Sequence, residues 1–194
     1  MAQNLIIFAS GAGSNAQAII DHFRNDPGVH IGLIACNKPG AGVLSIAARE
    51  NIPTLLLEKE RFFRGDAYLP ELKGLEPSLL ILAGFLWKLP SALVDAFPGR
   101  IINIHPALLP NYGGKGMYGH FVHEAVRASG DPHTGITIHL VDERYDHGAP
   151  IFQALVSIEP DDSPDSIAKK VQKLEHQHYP RVIGDLLLAQ KSGE

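Results

Sequence analysis

The chain has 194 residues and a formal net charge of -4, a length that suits one domain with a sizeable core and a charge that does not point to nucleic acid. Cys36 is its single cysteine, which excludes a disulfide framework and a multi-cysteine metal site. The N-terminal "MAQNLIIFASGAGSN" has no basic leader, and its apolar run falls far short of the roughly 20 residues that span a bilayer, so a cytoplasmic protein with no membrane partner is expected.

The predicted elements alternate. "NLIIFAS" (4–10) reads as a buried strand, and 15–25 as a helix with Ile19, Ile20 and Phe23 on one side. A strand over 31–37, a helix over 42–51 and a strand over 53–58 follow. The next helix, over 65–75, contains Pro70, which weakens a helical pattern. "SLLILAGF" (78–85) is a fourth strand, 90–97 a short helix and 100–105 a fifth strand. Then come a helix over 120–129 and strands over 134–142 and 149–158, which form an antiparallel pair. A long helical segment over 163–190 closes the chain, with Ser163 as N-cap, Pro164 at the first helical position and a bend or break at Pro180. Continuous apolar strands separated by helices predict one α/β domain over 1–194. Its open, mostly parallel, Rossmann-like sheet has helices on both faces and an antiparallel portion toward the C-terminal half.

Two features carry chemistry. In "FASGAGSNAQ" (8–17) a strand passes through Gly11 and Gly13 into a helix opened by Ser14 and Asn15. Free amides and the helix dipole favour an anion there, and phosphate is the natural guest. The dinucleotide fingerprint fails because its third glycine position is Ala16, so a mononucleotide or sugar phosphate fits better than NAD. The plain alternative is a capped glycine turn without a ligand. Further on, "IINIHP" (101–106) places Asn103 and His105 on one strand face at a strand end, where open α/β sheets bind ligands. They are either satisfied core groups or ligand-facing ones. Asp142, Glu143 and Asp146 lie in the polar loop between the two late strands, as carboxylates able to orient a histidine or as a solvated turn. His105, His120, His123, Asp142 and Asp146 lack metal-ligand spacing, so no metal is expected.

Four stretches in order, "FASGAGSNAQAII", "ILAGFLWKLP", "INIHPALLPNYGGKGMYGH" and "DHGAPIFQ", resemble the glycinamide ribonucleotide formyltransferase family of folate-dependent enzymes, from Leu5 to about Leu187. The resemblance implies transfer of a formyl group from 10-formyltetrahydrofolate to the amine of 5-phosphoribosylglycinamide, a step of purine synthesis, by a monomer or homodimer. It divides the domain into a phosphate-binding half, about 1–100, and a catalytic and folate-binding half, about 101–194. It implies Asn103, His105 and Asp146 as catalytic residues. Gly13, Ser14, Asn15, Gly84, Pro106 and Glu175 would bind the ribonucleotide. Arg64, Leu86, Trp87, Lys88, Leu89, Val141 and Asp142, with Asn103 and Asp146, would bind folate. Many relatives carry Met-Arg-Ile-Leu where this chain has Leu86-Trp87-Lys88-Leu89, and the 113–120 loop is also a variant. Alternatives within the fold are a formyltetrahydrofolate hydrolase or another folate formyltransferase, and outside it a non-catalytic sugar-phosphate module.

Overall fold

A computed structural model describes residues 2–192. Seven strands form one sheet in the order β3-β2-β1-β4-β5-β6-β7. They are β1 (Gln3–Ala9), β2 (Val29–Cys36), β3 (Thr54–Leu56), β4 (Leu79–Leu82), β5 (Ile101–His105), β6 (His133–Leu140) and β7 (Pro150–Ser157). The first five are mutually parallel, and β6 runs antiparallel to both its neighbours, β5 and β7. Alternation along β1 explains the burial on both faces. Leu5, Ile7 and Ala9 enter a core with α1 (Ser14–Phe23), α2 (Gly42–Arg49) and α7 (Pro164–Ser192). Ile6 and Phe8 enter the opposite core with α3 (Lys59–Phe63), α4 (Leu69–Gly74) and α5 (Ser91–Ala96). The remaining helix, α6 (His120–Ser129), packs against α7.

The expected elements are present, with two differences. The helix predicted over 65–75 is the shorter α4, and α3 stands before it as a helix that was not predicted. Pro70 stands in the first turn of α4, where its missing N–H costs nothing. The C-terminal helix passes through Pro180 without interruption. Pro180 is buried, like its neighbours Tyr179 and Val182, so packing offsets the lost backbone bond. At the start of that helix the Ser166 N–H donates to Ser163 Oγ (3.2 Å), the cap expected of Ser163.

The chain leaves β1 toward one edge and returns through β4 to the other side, so the strand order reverses between β1 and β4. Ligands bind open α/β sheets at such a point. The two strand ends are laced together there. The Ala83 N–H donates to the Phe8 carbonyl, the Ser10 N–H to the Gly84 carbonyl, and the Leu86 N–H to Ser10 Oγ, at 2.8, 3.1 and 2.9 Å. Among the described residues no helix is long and apolar enough to cross a membrane.

Candidate active site

A cavity of about 780 Å3 opens at this reversal. Gly11 and Asn15 line it from the first strand–helix turn, Gly84 and Leu86 from the end of β4, and Asn103 and Pro106 from the end of β5. Helix α7 supplies Ala168, Val171, Gln172 and Glu175, the i, i+3, i+4, i+7 stripe of one helix face. Tyr179, one turn further, fixes that face: its buried hydroxyl donates to the Leu82 carbonyl (3.0 Å) at the end of β4. Asn15 Nδ2 donates to Glu175 Oε2 (3.0 Å), joining the turn to α7. Burial pushes the Glu175 carboxyl above its ordinary range, against the opposing effect of the Asn15 bond.

The glycine turn divides its labour. Gly13 adopts φ 84° at the N-cap of α1 and does not line the cavity. A Cβ there would lie 2.8 Å from Val43 Cβ, so this glycine serves the packing of α1 on α2. Gly11 and Asn15 meet the cavity instead. Ser14 is engaged through its hydroxyl, which accepts from Gln172 Nε2 (3.2 Å).

At the end of β5, Asn103 and His105 both turn toward Asp146. Asp146 Oδ2 lies 3.5 Å from His105 Nδ1 and accepts the Gly114 N–H at 3.0 Å. Its Oδ1 accepts from Asn103 Nδ2 at 3.4 Å. Asp146 itself adopts φ 52°, a left-handed conformation that Asp and Asn tolerate better than most residues. His105 is 3% exposed and lines neither cavity described here. Its Nε2 lies 2.7 Å from the Tyr112 carbonyl, and a carbonyl only accepts, so Nε2 carries a proton and Nδ1 is the atom turned to the carboxylate.

His139 completes the cluster. The antiparallel register sets it opposite Asn103, and its Nδ1 donates to the Leu140 carbonyl (2.7 Å). That fixes the tautomer, and burial lowers the ring's pKa, so Nε2 offers a lone pair. The atom 3.1 Å away is Asn103 Nδ2, which donates to it.

A second, small cavity of about 70 Å3 lies beside the first, lined by Trp87, Lys88, Leu89, Val141 and Asp142 among others. Phe85, Asn103, Tyr145 and Asp146 line both. Arg64 ends α3 on the surface and lines neither. The site residues that sequence reasoning missed are His139, Tyr145, Gln172 and Phe85. Gln172 was visible only as one turn-spacing before Glu175, and His139 only as a polar residue in an apolar strand. Among the described residues no three His, Cys, Asp or Glu side chains converge as a metal-ligand set.

The two cavities meet at one wall, formed by Phe85, Asn103, Tyr145 and Asp146, on an open α/β sheet where its strand order reverses. The chain belongs to the formyl transferase family, whose model matches residues 3–183. It is 40% identical over 189 residues to the chloroplastic phosphoribosylglycinamide formyltransferase of Arabidopsis thaliana, covering 94% of this chain and 64% of that protein. It is 35% identical to the phosphoribosylglycinamide formyltransferase of Bacillus subtilis, covering 97% and 96%. The crystal structure of phosphoribosylglycinamide formyltransferase from Bacillus halodurans superposes with a TM-score of 0.86 at 35% identity, covering 95% of each chain.

Proposed function

We propose that this chain transfers the formyl group of 10-formyltetrahydrofolate to the amine of 5-phosphoribosylglycinamide, giving formylglycinamide ribonucleotide and tetrahydrofolate in purine biosynthesis in the cytoplasm. The observation that carries the reading is the wall shared by the two cavities, with Asn103 and Asp146 in it. The ribonucleotide takes the large cavity. Its phosphate lies at the Gly11–Asn15 turn, its ribose hydroxyls at Glu175, and its glycinamide chain runs past Gly84 and Pro106. Folate takes the side of Leu86 to Leu89 and Val141–Asp142. The small cavity is less than a bicyclic pterin occupies, so Tyr145 and its loop yield as folate enters.

The amine nitrogen attacks the formyl carbon, and the carbonyl oxygen becomes an oxyanion. The Asn103 amide hydrogen aimed at Asp146 is held only at 3.4 Å, so it can turn to that oxygen at little loss, while the other stays on His139. The amine then loses a proton, the bond from carbon to the folate nitrogen breaks, and that nitrogen gains a proton. Asp146 lies where both proton movements pass. His105 sits behind it, so proton delivery from His105 goes by way of Asp146 or a water beside it. Neither a metal nor a covalent enzyme intermediate is needed in this scheme.

The test is folate release followed by absorbance, with and without phosphoribosylglycinamide. Tetrahydrofolate formed in step with formylated ribonucleotide is expected. Release without the ribonucleotide would make the chain a hydrolase, and no release would leave a binding module.

A further inference from the structure

Among the described residues Lys115 is the only lysine or arginine lining the large cavity, which Asp146 and Glu175 also line. It stands among glycines: Gly114, Gly116 and Gly119 all adopt positive φ, at 95°, 91° and 54°. Gly114, its neighbour, is tied to Asp146. The segment leads directly into α6, a helix of ten residues whose N-cap, Gly119, supplies no side-chain bond. The first amides of such a helix lack partners, and its dipole favours an anion. His120 at its start is taken up by Glu124 and Asp165, at 3.1 and 3.6 Å. Lys115 makes no ion pair among the described residues.

An independent observation comes from His123, one turn into α6. His123 lines the cavity and is 6% exposed, and its buried Nδ1 has no hydrogen-bond partner among the described residues. Leaving a buried ring nitrogen unpaired is costly, and such orphans call for a cause, of which a missing ligand is one. Burial, with His120 and His105 nearby, lowers the pKa of this ring. A neutral imidazole can still donate one N–H to an anion.

We propose that Lys115, His123 and the first turn of α6 bind the phosphate of the ribonucleotide substrate together with the Gly11–Asn15 turn. A phosphate monoester carries close to two negative charges near neutral pH. The glycine turn offers it amides and half a helix-dipole charge, but no side-chain cation. Lys115 supplies the missing charge, and the glycines around it let the backbone come close. The assignment rests on the function proposed above and adds to it which side chains select a phosphorylated substrate.

The test compares two ligands by calorimetry: phosphoribosylglycinamide and the same riboside without phosphate. Lys115→Met should lose at least tenfold in affinity for the phosphorylated ligand and less than twofold for the riboside, with Lys115→Arg restoring most of the loss. His123→Ala, checked for folding by its melting temperature, should show a phosphate-selective loss of about fivefold. Equal losses for both ligands, or none, would overturn the assignment while the wild type still prefers the phosphorylated ligand. A wild type that prefers neither overturns this assignment and the proposed substrate together.

Discussion

Asn103 Nδ2 donates to His139 Nε2 at 3.1 Å across the β5–β6 pairing, and the Leu140 carbonyl fixes the tautomer that makes this possible. His139 is therefore a positioning residue for the Asn103 amide. His139→Phe removes the acceptor and frees that amide to rotate. A neutral hydrogen bond contributes about 1 kcal/mol net, so kcat should fall about fivefold, with both KM values little changed. Steady-state kinetics check this, and an unaltered kcat in a folded variant would leave His139 a core residue only.

Asp146→Asn keeps the size and tolerates the left-handed backbone, but removes the charge between Asn103 and His105. We expect kcat to fall by a factor on the order of 10² or more, with a smaller rise in the KM for phosphoribosylglycinamide. Wild-type turnover in this variant would return Asp146 to the status of a loop acid.

The two glycines of the first turn should separate folding from binding. Gly13→Ala sets a Cβ against Val43 at 2.8 Å and forces a positive φ, so it should destabilise the fold by about 2–4 kcal/mol. Gly11 has open space where its Cβ would be and lines the cavity. Gly11→Ala should leave the melting temperature within a few degrees and raise the KM for the ribonucleotide. Melting curves and kinetics on the pair decide it; the reverse pattern would remove the phosphate from this turn.

Trp87 is the only tryptophan of the chain and lines the small cavity, with the Phe63 ring 5.5 Å from it. A folate analogue added without ribonucleotide should change its emission saturably. A flat signal at concentrations where calorimetry shows binding would put folate elsewhere.

Stability should fall on mild acidification. Burial lowers the pKa of His123 and His139, so below the ordinary histidine value near 6.5 the unfolded chain takes up protons that the folded one refuses. Each such ring contributes at most about 1.4 kcal/mol per pH unit, fully lost once the folded ring also titrates. Glu175 opposes them. Its carboxyl pKa is raised by burial, so its destabilising effect is greatest at higher pH and fades as pH falls toward the ordinary glutamate range. Urea midpoints at pH 7.5 and 5.5 should differ in favour of the former, and His139→Phe should narrow the gap. Equal midpoints for the wild type would count against this balance.

Much of this was legible from local pattern. Parity along a strand put Asn103 and His105 on one face, and the strand–glycine–helix order located the anion turn. The 139-to-103 pairing was not legible, because antiparallel register between strands this far apart is fixed by tertiary packing. The structural duty of Gly13 was hidden for the same reason: Val43 belongs to another helix. Pro180 misled because local propensity marks a break, whereas burial in the packed helix offsets it. Arg64 rested on the resemblance alone, and nothing local fixes where a surface side chain at a helix end will reach.

The partition between the two cavities is only a few side chains thick, formed by Phe85, Asn103, Tyr145 and Asp146. A single compound that joins a sugar-phosphate fragment to a pterin-like fragment through a short tether would reach across it. The second fragment then binds at an effective concentration in the millimolar range or above, so two weak fragments combine into one strong ligand. Tether length becomes a ruler for the site: affinity should peak sharply at the span from the Asn15 side of the cavity to the Trp87 side and fall away on either side of it.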